Sequence, residues 1–189
     1  DDDVILLVAD SGNPNEKPVI RVGSGESSDL NKIATIATKI TGSSGLQKTF
    51  SGTLILTGDN AYTGGTDIHG GILQLGDGGT QGSIDGDINV GSGAKFVVNK
   101  SGDTEFSAVI SGDGAVEIDG GGVTTFTGNN TYTGGTHISA GALKISQGGS
   151  DGSIVGNVNI AAAHSFLIFN RDNEYKFLGS ISGLGGVTQ

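Results

Sequence analysis

The 189-residue sequence contains no cysteine, no methionine and no tryptophan, and only two prolines. The absence of cysteine excludes disulfides, thiol nucleophiles, iron–sulfur clusters and zinc sites with cysteine ligands. It does not indicate a reducing compartment, because a secreted chain that must cross a membrane before folding also benefits from having no early disulfide.

Positive charge and long apolar runs are scarce as well. Ten Lys and Arg stand against 20 Asp and Glu, giving a net charge of −10. Because nucleic acid and anionic lipid attract basic surfaces, we expect neither as a partner. No stretch approaches the ~20 apolar residues of a membrane-spanning helix, so we expect no membrane insertion of this segment. The chain opens with Asp1-Asp2-Asp3 rather than a signal peptide, so an exported protein would be represented here by a mature or excised piece.

Glycine, in contrast, is abundant, with 36 residues. It shows no three-residue period, which excludes collagen. Together with many Thr, Val, Ile and Ser residues, it is typical of short strands joined by tight turns. Residues 30–40 (LNKIATIATKI) have a weak helical period, but their β-branched residues favour a strand.

One ten-residue phrase occurs twice. Residues 57–66 read TGDNAYTGGT, and residues 127–136, seventy positions later, read TGNNTYTGGT. Residues 82–90 match residues 152–160 at the same offset, and from Asn99 onward the offset becomes 71, as Asn170 shows. The triplet Ile-Ser/Thr-Gly begins at Ile40, Ile110 and Ile181. We therefore predict one domain, with degenerate rungs at 1–39, repeats at 40–109 and 110–180, and the start of another rung at 181–189.

A unit of seventy residues divides into three coils of roughly 23, each with two or three strands, which is typical of a solenoid. We predict an all-β fold, a parallel β-helix of about eight rungs with three rungs per repeat. An antiparallel sandwich or barrel is the alternative, but it gives no reason for the self-match. Apolar alternation places a set of side chains inside, with partners seventy positions on, such as Phe166 for Phe96. This predicted core comprises Leu73, Leu75, Ile84, Ile88, Val90, Phe96, Val98, Phe106 and Ile110.

No catalytic motif stands out. Residues 148–152 (GGSDG) fit the G-x-S-x-G pattern of a nucleophile elbow around Ser150, but a strand is predicted where the elbow needs a helix. A Gly-rich corner is the preferred interpretation. His69, His137 and His164 occupy different repeat positions and lack metal-ligand spacing, so we expect surface side chains.

The acidic residues suggest two further hypotheses. Asp77, Asp85, Asp87, Asp103 and Asp113 lie near Gly-rich turns, loosely like calcium-binding β-rolls, without the nine-residue period. Asp85 and Asp87 on one strand face could also serve glycoside hydrolysis. In both cases we prefer the interpretation that these carboxylates lie in solvated turns.

Tyr62 and Tyr132 recur within the phrase, where stacking inside the coil is preferred over a sugar platform. The least regular stretches, residues 10–17 and 160–174, are where a grafted binding loop would lie. We assign no catalytic, cofactor or metal site, and the binding residues stay unknown.

The repeated phrase and its surroundings resemble the autotransporter-associated β-strand repeat. The residues that carry the resemblance are 52–66 and 127–136, with their continuations 68–75 (IHGGILQL) and 138–145 (ISAGALKI). The register covers most of residues 40–189, whereas 1–39 match weakly. The resemblance implies a right-handed parallel β-helix, a passenger of Gram-negative type V secretion that is displayed or released. It also implies a carboxy-terminal translocator barrel as a partner, which these 189 residues do not include.

From the resemblance we expect a non-enzymatic, virulence-type passenger that binds a host cell-surface protein or matrix, as an adhesin or as a released ligand of a host receptor. Two alternatives stay open. The repeats could be a structural stem that promotes folding and export, or the chain could be a polysaccharide-active β-helix enzyme. The Gly-Asp-Ser-Gly motif of family proteases is absent.

Overall fold

The structure, a computed structural model, describes residues 17–24 and 27–189. Within these residues it contains twenty strands and one short 3₁₀ helix, Ser27–Asn31. In chain order the strands are β1 (Val19–Arg21), β2 (Ile33–Ile36), β3 (Thr41–Gly42), β4 (Leu46–Thr49), β5 (Thr53–Leu56), β6 (Ala61–Tyr62), β7 (Thr66–Ile68), β8 (Ile72–Leu75), β9 (Ile88–Val90), β10 (Lys95–Val98), β11 (Thr104–Phe106), β12 (Ile110–Ser111), β13 (Ala115–Ile118), β14 (Val123–Phe126), β15 (Thr136–Ile138), β16 (Ala142–Gly149), β17 (Val158–Ile160), β18 (Phe166–Arg171), β19 (Ile181–Gly183) and β20 (Gly186–Thr188).

The strands stack in parallel sheets that run along the molecule. The largest sheet has eight strands in the order β2-β5-β8-β10-β13-β15-β17-β19. Two five-stranded sheets, β1-β4-β7-β9-β12 and β11-β14-β16-β18-β20, and the pair β3-β6 complete the described part. Paired residues in the large sheet lie 19 to 23 positions apart, as in Thr53↔Ile72 and Val158↔Ile181.

Parallel pairing at this short, regular separation requires a chain that returns over itself once per coil. The eight strands of the large sheet therefore mark about eight turns of a β-solenoid. The predicted all-β parallel β-helix is confirmed, and the antiparallel sandwich alternative is wrong. In residues 30–40, the predicted strand is confirmed for Ile33–Ile36, whereas Leu30 and Asn31 belong to the 3₁₀ helix.

All nine residues of the predicted core are buried. So are five of their partners seventy positions on: Leu143, Ile145, Ile154, Val158 and Ile160. The core includes three neighbouring phenylalanines, Phe96 and Phe106 from one coil and Phe126 from the next, and the Phe106 ring centroid lies 5.8 Å from those of both Phe96 and Phe126, edge to face. Such T-shaped pairs add to the stabilisation that burial alone provides.

The expected core position of Phe166 is wrong, since 40% of this residue is exposed. Its neighbour Leu167 is fully buried and pairs with Leu143 in the position that Phe96 occupies one repeat earlier. The cause is an extra residue before β18. The four residues 91–94 become five, 161–165, so that Ala94 and Ser165 take the same buried place. The change of offset therefore occurs earlier than Asn99.

A lysine lies in the core of the first repeat. Lys48 has no exposed surface, and its ammonium donates hydrogen bonds to the carbonyl oxygens of Thr49 (3.1 Å), Phe50 (2.7 Å) and Gly70 (2.9 Å). Gly70 belongs to the following coil, so the side chain ties two coils together. The second repeat has Ile118 at the equivalent position. Burial lowers the pKa of Lys48 from 10.5 to about 8, because the charged form loses its hydration.

We expect the free energy of unfolding to rise between pH 8 and pH 10. In this range the folded protein releases the Lys48 proton while the unfolded chain, with a lysine pKa of 10.5, retains it, so higher pH favours folding. The gain approaches roughly 2–3 kcal/mol at 1.36 kcal/mol per pKa unit. Above pH 10 the trend reverses, because burial raises the pKa of Tyr62 to about 12 and unfolded tyrosines ionise first.

Urea unfolding at pH 7.5, 9 and 10 measures this dependence. The matched variant is Lys48→Met, which keeps the volume of the side chain and removes the titrating group. Its unfolding free energy should be flatter over the same interval. An equal rise in Lys48→Met would show that other groups cause the effect.

Candidate functional site

The repeated phrase contains a buried asparagine that connects three coils. In the first copy, Asn60 accepts a hydrogen bond from the Ile40 amide of the preceding coil at 2.9 Å. Its side-chain amide donates to the Gly58 carbonyl of its own coil at 2.9 Å and to the Ser83 carbonyl of the following coil at 3.0 Å. We call this side chain with its three backbone partners an asparagine bridge.

The second copy forms the same asparagine bridge. Asn130 accepts from the Ile110 amide at 2.8 Å and donates to the carbonyls of Gly128 and Ser153, both at 3.0 Å. Both asparagines are almost completely buried. The partners of each asparagine come from three coils, so all three hydrogen bonds form only when these coils are in register. Loss of the register would leave buried polar groups unsatisfied, which is costly.

The phrase tyrosines are also internal. The Tyr62 hydroxyl lies 2.9 Å from Thr66 Oγ1, and the Tyr132 hydroxyl lies 2.6 Å from Thr136 Oγ1. Both rings are buried, and burial raises the pKa of each hydroxyl. Neither ring can offer a stacking face to a sugar.

The glycines of the phrase allow close approach of neighbouring coils. A Cβ atom on Gly134 would lie 2.4 Å from the carbonyl carbon and oxygen of Gly114, which is nearer than real Cβ contacts. Gly135, with φ +84°, turns the chain toward β15. The phrase therefore consists of corner, core and bridge residues and leaves little of itself for a ligand.

The G-x-S-x-G stretch is a corner fastened by an arginine. The guanidinium of Arg171 donates hydrogen bonds to the backbone carbonyls of Ser150, Asp151 and Gly152. Residues 150–157 form turns and an isolated bridge at Ser153 rather than a helix. Ser150 thus lies in an exposed corner without the strand–turn–helix setting of a nucleophile elbow.

The three histidines lie apart from one another. His69 Nε2 contacts Gln47 Nε2 at 2.7 Å on the outer surface. His137 lies in register between Glu117 and Asn159 on another sheet, and His164 is exposed in the loop before β18. Within residues 17–24 and 27–189, no group of three His, Cys, Asp or Glu side chains could hold a metal ion.

The acidic residues mostly cap backbone amides or bind hydroxyls in turns. The carboxylates of Asp77, Asp87 and Asp103 accept from the amides of residues 79, 109 and 123, and Asp113 accepts from the Thr133 hydroxyl. Asp85 is exposed beside them. The carboxylate of Asp87 is committed to the Val109 amide at 2.9 Å, which leaves the Asp85–Asp87 pair poorly suited to acid–base work on a sugar.

Two shallow grooves lie at equivalent places in the two repeats, between the Gly-Gly corner of the phrase and the outer face of the next coil. The first has a volume of about 240 Å³ and is lined by Gly64, Gly65, Asp67, Asp87, Asn89 and Ser111. The second has a volume of about 330 Å³ and is lined by Gly134, Gly135, His137, Asn157, Asn159 and Ser182. The grooves were not predicted, because their residues come from three successive coils about 20 positions apart.

The two grooves share a polar base and differ in charge. Asn89 donates to Ser111 at 3.3 Å, and Asn159 donates to Ser182 at 3.2 Å. In contrast, His137 stands where the first groove has Asp67, and Asn157 stands where it has Asp87. The side chain of Asn157 accepts a hydrogen bond from a backbone amide of the next coil, as that of Asp87 does. In the first groove Lys17 Nζ lies 2.9 Å from Asp67 Oδ2. The first groove is acidic and the second is not.

Of the two irregular stretches, residues 10–16 lie outside the described residues. The second, residues 160–174, contains strand β18, and its Phe169 packs in an aromatic cluster with two residues that follow the stretch. Phe169 lies 5.8 Å from Tyr175 and 5.9 Å from Phe177 between ring centroids, and the Arg171 guanidinium lies 4.5 Å from the centroid of Tyr175.

In the part of the chain that the structure describes, no helix has the length and apolar character needed to span a membrane.

Comparison with known proteins gives two matches. The model of the passenger-associated-transport-repeat matches residues 46–75 and 119–145, segments that end seventy residues apart. The chain is 38% identical over 190 residues to the adhesin BmaC autotransporter of Brucella suis biovar 1 (strain 1330). That alignment covers 90% of this chain but only 5% of the relative's length. No solved structure matches the chain.

Stacked coils, a seventy-residue register and two asparagine bridges define a parallel β-solenoid built from internal repeats. Together with the two matches, they identify the chain as an autotransporter passenger segment that carries passenger-associated transport repeats. Such a passenger is displayed at the cell surface or secreted.

Proposed function

We propose that this segment is a non-enzymatic, adhesin-type part of its passenger and contributes to attachment to a host cell-surface protein or matrix component. The relative's name supports adhesion as the general role. In the structure, one observation supports a binding surface on the repeats themselves. The residues that the two copies share are mostly bridge, core and corner residues, whereas the groove residues Asp67 and Asp87 change to His137 and Asn157.

Attachment by the purified chain tests this function. Beads coated with the chain should bind host cells or matrix in a saturable manner, and proteolysis of the cell surface should abolish binding to cells. Beads coated with heat-unfolded chain are the control for non-specific adsorption. Attachment that does not saturate, or that equals the control, would remove the proposed role.

A sharper prediction concerns the first groove, which is acidic. Exchanging its charged residues for those of the second groove, with Asp67→His and Asp87→Asn, should reduce attachment several-fold and weaken its salt dependence, because two negative charges leave the surface. Folding should persist, since Asn157 already performs the capping role of Asp87 in the second repeat.

The matched control removes the same two charges elsewhere. Asp113→Asn with Asp151→Asn changes carboxylates that line neither groove. Attachment that falls equally in both double variants would assign the effect to net charge rather than to the groove.

A second candidate function is a stem that promotes folding and export. The name of the matched repeat and the two asparagine bridges, each of which joins three successive coils, both favour it. Deletion of residues 40–180 from the full-length passenger distinguishes the candidates. Poor secretion with normal attachment per displayed molecule would support the stem, and normal secretion with lost attachment would support adhesion.

A further inference from the structure

The two grooves occupy equivalent positions in the sequence but lie on different sides of the solenoid. The first groove is lined by Asp67 of β7 and Asn89 of β9, and both strands belong to the five-stranded sheet β1-β4-β7-β9-β12. The second is lined by His137 of β15 and Asn159 of β17, and both strands belong to the eight-stranded sheet. A shift of seventy residues therefore moves the groove from one sheet to another.

The length of the coil explains this change of sheet. Asp67 pairs with Asn89 of the next coil, and Asn89 pairs with Ser111 of the coil after that. The Thr131 amide then donates to the Ile110 carbonyl at 2.9 Å, which places Thr131 beside Ser111 in parallel register. Three coils thus lead from position 67 to position 131, a distance of 64 residues, and the remaining six residues of the repeat carry the chain round to the adjacent sheet.

Each repeat therefore spans three coils and one further side of a three-sided stack. The strands β4, β5 and β6 lie in three different sheets, and β7 returns to the sheet of β4. The strands β4 and β13 are equivalent in the seventy-residue register, yet β4 belongs to the five-stranded sheet and β13 to the eight-stranded one. Equivalent surface residues of the two repeats hence face different directions, whereas residues one coil apart face the same direction.

The side that carries the first groove presents a straight row of polar side chains. We call it the polar row, and its members are Gln47, Asp67, Asn89, Ser111 and Thr131. All five are at least partly exposed, and at ~4.8 Å per coil the row is about 19 Å long. The row that contains His137 on the adjacent side includes the apolar residues Ile55 and Val97. The polar surface therefore does not continue to the second groove.

An ammonium group already occupies the acidic part of the polar row. Lys17 Nζ lies 2.9 Å from Asp67 Oδ2, and Lys17 lines the first groove together with Asp87. The side chains of Lys17 and Asp67 remain 24% and 29% exposed, so a cation from another molecule can replace Lys17. Asn89 and Ser111 offer an amide and a hydroxyl beside the carboxylates. This combination fits a lysine or arginine side chain flanked by polar groups.

We propose that the polar row is the attachment surface of this segment and that the second groove lies outside the contact. The partner is a protein segment of the host cell surface or matrix that places a lysine or arginine side chain over Asp67 and Asp87. The proposal rests on the proposed function, to which it adds the side of the solenoid and the chemistry of the partner. A partner bound along one side leaves the second groove uncovered on the adjacent side.

A compact block on one side of the solenoid tests the extent of the contact. The chain has no cysteine, so one introduced cysteine can carry a biotin that captures monovalent streptavidin. On Thr131→Cys, three coils from Asp67 but on the same side, the block should reduce bead attachment several-fold. On Gln74→Cys, one strand after Asp67 but on the adjacent side, it should leave attachment unchanged. Each variant without streptavidin is its own control.

Soluble polylysine tests the chemistry of the partner. It should inhibit attachment of the unaltered chain several-fold and inhibit the variant with Asp67→His and Asp87→Asn much less, because that variant lacks both carboxylates of the groove. Polyglutamate is the control and should inhibit neither. Equal inhibition of the two chains by polylysine would overturn the basic partner.

Spin labels test the arrangement of the sides without attachment. Labels on Asp67→Cys and Thr131→Cys lie about 14 Å apart along three coils. Their dipolar coupling should exceed that of labels on Asp67→Cys and His137→Cys, because the second pair is also separated across the solenoid. Equal coupling in the two pairs would overturn the arrangement.

The two kinds of experiment separate this proposal from the proposed function. Equal loss of attachment with blocks at Thr131 and Gln74 would overturn the one-sided contact. An unmodified chain that does not attach would remove the proposed function and the partner with it, while the spin labels would still confirm or overturn the arrangement of the sides.

Discussion

The Asn130→Ala variant should lose on the order of 3 kcal/mol or more of unfolding free energy, because it leaves three buried backbone groups without partners. The Ile110 amide and the Gly128 and Ser153 carbonyls all bond to this one side chain. Urea denaturation followed by far-ultraviolet circular dichroism measures the loss. Should the variant fail to fold, Asn130→Asp in a pH series is a second test: its ionised form faces the Gly128 and Ser153 carbonyls without a donor and its protonated form regains one, so stability should fall as the pH rises through the pKa of the carboxyl group.

The neighbouring Asn129→Ala variant is the matched control. Asn129 is exposed and differs from its counterpart Asp59, so its replacement should change stability by less than about 0.5 kcal/mol. Asn60→Ala should behave like Asn130→Ala. Similar small effects at all three positions would mean that the asparagine bridges do not hold the coils.

The Phe106→Ala variant should lose roughly 3–5 kcal/mol, the usual cost of emptying a phenylalanine site in a core. Phe106 lies between two other rings at 5.8 Å, and its removal breaks both edge-to-face contacts. Because its two neighbours lie in different sheets, Phe96 on the same coil and Phe126 on the next, the surrounding backbone cannot easily collapse into the cavity. Thermal and urea unfolding both measure the effect.

Phe166→Ala is the control of the same chemistry. Its 40% exposure predicts a loss of less than about 1.5 kcal/mol, although a strict seventy-residue register would place it in the core. Comparable losses in the two variants would contradict the position of the extra residue before β18.

Much of the fold followed from repetition. Two copies of one phrase at a fixed separation imply coils that cover one another, and alternating apolar residues then identify the buried face. For this reason the sequence alone predicts the burial of Leu73, Leu75 and Ile88 and of their partners in the second repeat, and the structure confirms it. Handedness and the stated domain boundaries stay predictions.

Other features could not be read in the same way. The position of a single insertion is ambiguous when the residues around it are small, and residues 91–94 and 161–165 are mainly Gly, Ala and Ser. Lys48 was missed because periodicity assigns a lysine to the polar face, and only the corner carbonyls make its burial tolerable.

The asparagine bridge left a signal that was overlooked. Asn60 and Asn130 are identical, whereas the residues on either side, Asp59 and Ala61, differ from Asn129 and Thr131. An invariant asparagine between variable neighbours indicates a specific hydrogen-bonding role. The grooves left no local signal, because the twenty-residue coil spacing that brings Asp67 and Asp87 together is a property of the whole fold.

Residue-resolved amide exchange at Ile40 and Ile110 tests most directly whether asparagine bridges hold this solenoid together. Ile40 precedes its strand and Ile110 begins one, so neither would ordinarily be among the best protected amides. The bridges predict that both exchange at least about 100-fold more slowly than Ile181, and that Asn60→Ala removes the protection at Ile40. Rapid exchange at Ile40 and Ile110 in the unaltered chain, at the rate of Ile181, would contradict the structure of the repeat described above.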